Sequence, residues 1–333
     1  MSGDRSALRD RAEWLAFIVV FAPTRVLPAG FLRAGARLLA RMLHACAWKR
    51  RTHARELVAA RLGLPEGSAE VNRIVLGSFQ TLVRNALEPA LLERRRRARG
   101  NLRDMFDVEG LEHLEAARAT GRGLLLCTAH IGTWEAIGFV LQELGLSSWA
   151  IGRVLDNPLL ERELEARRRA TGRGVIPKDG GVLKLVRALK ANEPVIVLLD
   201  QNAGRKGVLL DFLGAPSSHH TVAGVMSRRC GAPALPVYVL SAGRAGRLRL
   251  VFEPAVQADP GLDDEAAALQ ITRRLSDSLE RQVRARPEQW LWLHDRWRHA
   301  RRVLRLERQA AQAGEPAGAG ANRMATVQGT NGP

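Results

Sequence analysis

Apolar residues recur at helical spacings through the first part of the chain. Leu32, Leu39 and Met42 lie seven and three positions apart, and similar spacings indicate helices throughout residues 10–95. Ser68 follows a Pro-Glu-Gly turn, and its short polar side chain is typical of a residue that caps a helix N-terminus. A further helix is therefore predicted over residues 69–92.

The first of these helices has the composition of a segment that lies at a membrane interface. Residues 14–24 carry no charge, but they are fewer than the roughly 20 that a membrane-spanning helix needs. Arginines precede and follow the segment, as suits contact with anionic headgroups. No cleavable signal peptide is indicated. We expect residues 1–100 to form a helical, membrane-associating region, peripheral or shallowly anchored.

From residue 101 short apolar runs alternate with helical patterns. The runs at 123–128 and 194–199 are apolar almost throughout, as expected of strands buried on both faces. The alternation predicts an α/β domain over residues 101–308, with a mixed, mostly parallel sheet flanked by helices. Residues 309–333 contain almost no apolar bulk, and a disordered tail is predicted there.

Arginine dominates the charge of the chain. There are 51 Lys+Arg against 34 Asp+Glu among 333 residues, a formal net charge of +17, and nearly all of the basic residues are arginine. Genomic composition is one explanation. The functional explanations are an anionic membrane surface, a phosphorylated substrate or a nucleic acid. A single tyrosine and the lack of any zinc-finger spacing or reading module argue against nucleic acid.

The candidate chemistry lies where apolar runs end. His130 follows one such run and Asp200 another, and ligands of parallel sheets bind at the carboxyl ends of strands. Glu135 comes five positions after His130, in the first turn of a predicted helix. The positive helix N-terminus is expected to keep the imidazole neutral, and Glu135 to hydrogen-bond its other nitrogen, which makes a general base. The alternative is a histidine that caps the helix beside a glutamate that complements its dipole.

Three further features are open to more than one interpretation. His219 and His220 are predicted to lie in a solvated loop rather than to bind a metal, because no third ligand is near. Trp290, Trp292 and Trp297 either pack at the edge of the core or form, with neighbouring arginines, an aromatic belt at a membrane. Cysteines at 46, 127 and 230 have no metal or disulfide spacing. No metal and no cofactor are predicted.

Five stretches of the chain resemble the late acyltransferases of lipid A biosynthesis, the lauroyl and myristoyl transferases of the wider glycerolipid acyltransferase group. The likeness extends over roughly residues 35–305. The five stretches are His-x4-Glu at 130–135, GRVLDNP at 152–158, LLDQN at 198–202, DFLGAP at 211–216, and RPEQWLWLHDRW at 286–297. The last is the most specific, because tryptophans at such spacing rarely arise by chance.

The resemblance implies roles for individual residues. His130 and Glu135 match the catalytic histidine–acid pair of the family, with Glu where many of the wider group have Asp. Arg153 matches a position expected to hold substrate phosphate or an oxyanion. The remaining candidates for substrate contact are Asn157, Asp200 and Gln201 from these stretches, and Lys178 as a phosphate contact.

The expected function is acyl transfer at a membrane. A fatty acyl chain would move from acyl-carrier protein or acyl-CoA to a hydroxyl of a glycolipid, with a lipid A precursor as the leading acceptor and a phosphatidylinositol mannoside as the nearest alternative. The expected location is the cytoplasmic face of a bacterial inner membrane. A basic nucleic-acid-binding protein and a catalytically inactive membrane scaffold are the alternatives from other classes.

Overall fold

Four helices precede the sheet. The computed structural model describes residues 7–152, 155–170, 172–243 and 246–313. The four helices are α1 Ala7–Phe21, α2 Ala29–Cys46, α3 Trp48–Leu62 and α4 Ala69–Arg99, with a 3-10 turn at Ala22–Arg25. Ser68 caps α4 as predicted, since its Oγ accepts a hydrogen bond of 3.2 Å from the Val71 amide. Within the described residues, none of the helices is long and apolar enough to cross a membrane.

Seven strands form one sheet in the order β1-β9-β8-β2-β5-β3-β4. They are β1 Phe106–Glu109, β2 Leu124–Thr128, β3 Ser148–Gly152, β4 Arg173–Pro177, β5 Pro194–Leu198, β8 Ala234–Ser241 and β9 Leu248–Phe252. Every neighbouring pair is parallel except β8 with β9. The mixed, mostly parallel sheet predicted from the alternation is confirmed.

Helices cover both faces of this sheet. They are α5 Leu111–Ala119, α6 Ile137–Glu143, α7 Pro158–Ala170, α8 Val182–Lys190, α9 Val222–Cys230 and α10 Asp264–Ala285, followed by α11 Arg298–Ala313. Side chains of β2 alternate between two cores, because successive residues of a strand point to opposite faces. Leu126 packs with residues of α5 and α6, whereas Leu125 packs with residues of α8, α9 and α10.

A third core lies between the N-terminal helices and the residues around the C-terminal tryptophans. It joins Ile74 and Phe79 of α4 to Trp290, Trp292 and Trp297. The three indoles are 1%, 0% and 2% exposed. Packing in the core is therefore the correct interpretation of these tryptophans, and the membrane belt is wrong for them.

Two elements were not predicted. The strands β6 Val208–Phe212 and β7 Ala215–His219 form a separate antiparallel hairpin. The helix α11 reaches Ala313, so the predicted tail at 309–333 begins as helix, and its remainder lies outside the described residues. The predicted boundary at residue 100 follows the end of α4 and stays a prediction.

Candidate active site

The register of two adjacent strands brings His130 and Asp200 together. β2 and β5 are parallel neighbours in which Thr128 pairs with Leu198. The Leu199 amide donates to the Thr128 carbonyl at 2.9 Å, which extends the ladder by one residue. His130 and Asp200 each lie two residues beyond the paired position. They therefore reach the same height at the carboxyl edge of the sheet, where parallel sheets bind ligands.

Asp200 holds His130 by both its backbone and its ring. The carboxylate Oδ1 lies 2.8 Å from His130 Nδ1, and Oδ2 accepts from the His130 amide at 2.9 Å. Trp290 Nε1 donates to the same Oδ2 at 2.9 Å. Burial alone would raise the pKa of Asp200, but the charge and hydrogen bond of His130, with Arg296 and Trp290, lower that pKa well below its ordinary value. Asp200 is thus an ionised acceptor.

This geometry fixes the tautomer of the imidazole. A carboxylate can only accept, so the neutral ring carries its proton on Nδ1 and a lone pair on Nε2. Nε2 forms no hydrogen bond to any described residue, and the side chain is 19% exposed. The Trp134 ring lies edge-on to the imidazole at a centroid distance of 4.9 Å. The pair can therefore take a proton at Nε2 and stabilise the imidazolium that results.

The pKa of His130 is raised, contrary to the expectation of a helix N-terminus that disfavours the imidazolium. Burial lowers it, but the charge and hydrogen bond of Asp200, with the charge of Glu135, outweigh burial. The helix after His130 also begins later in the chain than predicted. Residues Trp134–Ala136 form a 3-10 turn, and α6 begins only at Ile137.

The expected hydrogen bond between Glu135 and the His130 ring is wrong. The Glu135 carboxylate instead accepts from the Arg173 guanidinium at 2.9 Å. Asp200 occupies the position beside Nδ1 because the strand register carries it there. Glu135 still contributes its charge to His130. Its catalytic role stays a prediction.

The loop that carries His130 is held from several sides. Gly132 adopts a φ of +60°, and a Cβ there would lie 2.1 Å from the Val239 carbonyl oxygen, so only glycine fits. Its amide donates to Gln289 O at 2.9 Å. Asn85 of α4 donates to Gly132 O at 2.7 Å and accepts from the Glu135 amide at 3.2 Å. The helix α4 thus positions the loop that carries His130 directly.

The other predicted site residues lie in different settings. Arg153 lies outside the described residues. Asn157 is buried and caps α7, accepting from the Leu159 amide at 3.0 Å and donating to Glu13 at 3.0 Å. Lys178 and Gln201 are exposed. Substrate contact by these residues stays a prediction, and the bonds of Asn157 fit a structural role.

A buried arginine supports the Asp200 strand end, and the expectation that it belongs to a basic belt at a membrane is wrong for it. Arg296 is 1% exposed, and it donates to Leu199 O at 3.0 Å and to His219 Nδ1 at 2.9 Å. Its guanidinium lies over the Phe212 ring, 4.5 Å from the centroid. Burial, opposed by the charge of Asp200, lowers the pKa of Arg296 to about 10. The tryptophan-rich stretch at 286–297 contains this residue, but periodicity gives no sign that it is buried.

The prediction of a solvated loop is wrong for His219. This residue ends β7 and is 2% exposed. Because Arg296 can only donate, the neutral ring accepts at Nδ1 and carries its proton on Nε2, which lies 2.9 Å from Ser217 Oγ. Burial, with the charge of Arg296, keeps the pKa of His219 well below its ordinary value. It is a structural histidine.

A further histidine, His294, lies near His130 and Asp200. His294 Nε2 accepts from the Asn202 amide at 3.0 Å, two residues beyond Asp200. Its side chain is exposed at the surface, but partial desolvation lowers its pKa, and the charges of Asp200 and His130 both act on it. It falls within the stretch at 286–297, but no sequence pattern marked it as a candidate.

Together the fold and the site define an α/β protein with a histidine–aspartate pair at the carboxyl edge of its sheet. Comparison with known families narrows this class. A model described as bacterial lipid A biosynthesis acyltransferase matches residues 2–299. The chain therefore belongs to the family of bacterial lipid A biosynthesis acyltransferases.

Curated relatives carry two kinds of acyltransferase name. The chain is 30% identical to a lipid A biosynthesis palmitoleoyltransferase of Escherichia coli K12 over 59% of its own length and 63% of the relative. It is 29% identical to a phosphatidylinositol mannoside acyltransferase of Mycobacterium tuberculosis over 57% of its own length and 59% of the relative. The matched stretch thus spans less than two thirds of these relatives.

Proposed function

We propose that this protein is a membrane-associated acyltransferase. It moves a fatty acyl chain from a thioester, carried by acyl-carrier protein or acyl-CoA, to a hydroxyl of a glycolipid. The observation that carries the proposal is the 2.8 Å contact between His130 Nδ1 and Asp200, which leaves Nε2 available as a base. Membership of the acyltransferase family supports the reaction type.

The reaction follows from the tautomer of His130. Nε2 removes the proton of the acceptor hydroxyl as its oxygen attacks the thioester carbonyl, and Asp200 stabilises the imidazolium that forms. As the intermediate collapses, the new C–O ester bond remains and the C–S bond breaks. The imidazolium returns its proton to the departing thiolate, which restores the neutral base.

A direct transfer fits the residues around the pair better than an acyl-enzyme. Cys127 is the thiol on β2, three residues before His130, and it is buried. Burial raises the pKa of this thiol, which keeps it protonated and unreactive. Arg153 stays the candidate for binding phosphate or the oxyanion, and Glu135 the candidate for adjusting the charge around His130.

Exposed apolar side chains on α2 support membrane association. Phe31, Leu38 and Met42 lie seven and four positions apart, which places them on one face of the helix, and they are 74%, 58% and 55% exposed. Trp48 at the start of α3 is also exposed, and Lys49 lies over its ring at 5.5 Å from the centroid. An apolar face beside basic side chains suits an anionic membrane surface, and the proposed location is the cytoplasmic face of the inner membrane.

The leading acceptor is a lipid A precursor, after the description of the family. A phosphatidylinositol mannoside is the second candidate, because a relative of comparable identity is named for that acceptor. The two acceptors are different compounds, so a direct assay can distinguish their acylated products. We therefore propose to incubate the purified protein with acyl-carrier protein or acyl-CoA thioesters and each acceptor, and to identify the products by mass spectrometry.

His130→Ala tests the mechanism in this assay. Loss of the base is expected to lower the rate of acyl transfer by about 10²–10⁴-fold, while binding to anionic vesicles is retained. Leu183→Ser, a change of an exposed residue on α8, serves as the control and is expected to leave the rate unchanged. A wild-type rate for His130→Ala would refute the base assignment. Tight, salt-sensitive binding to DNA without acyl transfer would favour the nucleic-acid alternative.

A further inference from the structure

A second concave site lies apart from the histidine–aspartate pair. It is a cavity of ≈ 310 Å³ between α2, α4 and the start of β9. Among the described residues, four arginines line it and a single carboxylate, Glu88, opposes them. The four are Arg33 and Arg37 of α2, Arg84 of α4, and Arg247 directly before β9. This cavity is called the arginine cavity below.

Two of the four guanidinium groups are neutralised within the protein. Arg33 forms a two-pronged ion pair with Glu88, at 2.9 and 3.1 Å. Arg247 pairs with Asp107 across the strands β9 and β1. Glu88 is thus engaged, and the positive charge of Arg84 and Arg37 is not balanced by a direct partner within the cavity.

Arg84 is the unusual member of the set. Its terminal nitrogen Nη1 is buried and forms no hydrogen bond, and neither Arg84 nor Arg37 has a hydrogen-bond partner among the described residues. A buried donor without an acceptor costs about 1–3 kcal/mol, and more for a charged group. Other buried guanidinium nitrogens of the described residues also lack a partner, and what distinguishes Arg84 is that it lines a cavity beside a second arginine without a hydrogen-bond partner.

The electrostatics of the arginine cavity favour an anion as that acceptor. Burial lowers the pKa of Arg84, and the charges of Arg37 and Arg33 lower it further against the opposing charges of Glu88 and Glu288. An anion between Arg84 and Arg37 would offset both effects. The planar fork of arginine matches the oxygens of a phosphate group.

The backbone approaches one of these arginines closely. A Cβ on Gly246 would lie 2.6 Å from Arg33 Nη2, so this glycine lets the chain approach the guanidinium closely. Ser241, at the end of β8, also lines the cavity. β8 runs parallel to β2, so the cavity opens at the same edge of the sheet as His130. It also adjoins α2, the helix with the exposed apolar face.

We propose that the arginine cavity binds the phosphate group of a phosphorylated compound, with the half-buried Arg84 as the inner ligand and Arg37 at the rim. This inference goes beyond the proposed function and does not depend on acyl transfer. The phosphate belongs either to a lipid headgroup, whose chains lie along the apolar face of α2, or to a free phosphate ion. Both sources share the chemistry that the arginines recognise.

Thermal unfolding in phosphate tests the site. At several times the dissociation constant, inorganic phosphate is expected to raise the Tm of the protein by about 1–2 °C above chloride at equal ionic strength. Arg84→Met is expected to remove this shift, and in chloride to unfold no earlier than the wild type, because a half-buried charge whose Nη1 has no partner is lost. Arg187→Met, which removes an exposed arginine of α8, is the matched control and should keep the shift.

Two further variants keep the test independent of folding and of catalysis. Arg37→Met changes an exposed residue at the rim and is expected to weaken the phosphate shift even if Arg84→Met does not fold. His130→Ala is expected to keep the full shift, so a failure of the acyl-transfer mechanism leaves this inference intact. Equal phosphate shifts in the wild type, Arg84→Met and Arg37→Met would overturn it.

Vesicle flotation distinguishes the two sources of phosphate. Vesicles with phosphatidic acid present a phosphate monoester, and vesicles with phosphatidylglycerol at matched surface charge present a diester. A lipid source predicts that Arg84→Met or Arg37→Met loses a preference for phosphatidic acid that the wild type shows. A free ion predicts loss of the Tm shift with unchanged flotation. Variants that change neither the Tm shift nor the flotation show that no phosphate binds here.

Discussion

At the scale of single residues, the carboxylate of Asp200 does three things at once. It accepts from the His130 amide, faces the His130 ring and accepts from the Trp290 indole. These three hydrogen bonds fix the rotamer of Asp200, and because the His130 ring is bonded to it, they fix the orientation of the imidazole as well. Position, tautomer and charge of the proposed base therefore all depend on one residue.

Asp200→Asn separates the charge of this residue from its shape. The amide retains a similar size, but loss of the negative charge removes the main effect that raises the pKa of His130. The base then loses its proton at lower pH, so the rising limb of the pH–rate profile is expected to shift to lower pH. The rate at the plateau is expected to fall about 10²–10⁴-fold, since the imidazolium is less stabilised.

Glu135→Gln is the comparison for this prediction. Glu135 is bonded to Arg173 rather than to His130, so a smaller loss of rate and a smaller shift of the profile are expected. Steady-state rates across pH 5–9 measure both quantities. If Glu135→Gln shifts the profile and Asp200→Asn does not, the orienting role belongs to Glu135.

The buried guanidinium of Arg296 predicts a stability effect. Arg296→Met keeps much of the side-chain volume but leaves the Leu199 carbonyl and the His219 ring without their donor. We expect the free energy of unfolding to fall by about 2–4 kcal/mol. Denaturant unfolding measures it, and Arg298→Met, an exposed neighbour, is expected to change it by less than about 0.5 kcal/mol. Equal effects of the two variants would contradict the structural role of Arg296.

The neutral state of His219 predicts that acid destabilises the fold. Its folded pKa is lowered, so below the unfolded value near 6.5 the unfolded chain binds a proton that the folded chain does not. The contribution of neutral His219 to the free energy of unfolding is therefore fully present above pH 6.5. It is lost as the pH falls, by about 1.4 kcal/mol per pH unit for this one proton. Burial lowers the pKa of His220 to about 4, which acts in the same direction.

His219→Gln tests this dependence, because glutamine can accept from Arg296 and does not titrate. The difference in unfolding free energy between wild type and variant is expected to shrink as the pH is lowered from 7 to 5. His130 acts in the opposite direction, since its raised pKa gives stability below pH 6.5 that is lost at higher pH. That contribution is common to both proteins and cancels in the comparison, so a difference independent of pH would contradict the prediction.

At the scale of elements, α2 combines two surfaces. One side packs on α4, and the other exposes Phe31, Leu38 and Met42. Replacing Leu38 and Met42 by serine removes apolar side chains that would each gain about 1.5–3 kcal/mol on full burial. We expect binding to anionic vesicles to fall by at least about tenfold, with an unchanged Tm.

Leu183→Ser is the control for this surface, because Leu183 is a comparably exposed leucine on α8. Co-sedimentation with vesicles measures the partition of each protein. The expected result is a loss for the α2 variant alone. An equal loss for both variants would indicate nonspecific adhesion, and no loss for either would remove α2 from the membrane contact.

At the scale of the whole molecule, local patterns predicted more of the fold than of the site. Buried runs such as β2 and β5 are visible because they are apolar on both faces. The β6–β7 hairpin was not predicted, since β7 contains Pro216, two serines and a histidine, and so gives the apolar run of β6 no recognisable partner strand. Such strands depend on tertiary contacts, here the packing of Phe212 with the tryptophans.

The pairing of residues in the site also depends on tertiary structure that local patterns do not specify. His130 and Asp200 were both identified from the ends of apolar runs, but the partnership between them depends on which strands are neighbours. They are 70 positions apart in the chain, and nothing in the spacing of either residue specifies that β2 lies beside β5. Local spacing favoured Glu135 instead. His130 and Asp200 were each predicted as site residues, but His130 was paired with the residue nearer to it in the chain.

The hydrogen bonds of Asn85 have a consequence for how the molecule can be divided. A single side chain of α4 holds both Gly132 and Glu135 of the loop that carries His130. Ser78 of the same helix accepts from the Trp292 amide at 2.9 Å. A shortened protein that begins at residue 101 would therefore lack the helix α4, whose hydrogen bonds position the loop that carries His130. Deleting the helices to obtain a more soluble enzyme is expected to yield a sheet without a working site, and Asn85→Ala in the full chain to reproduce part of that loss of rate.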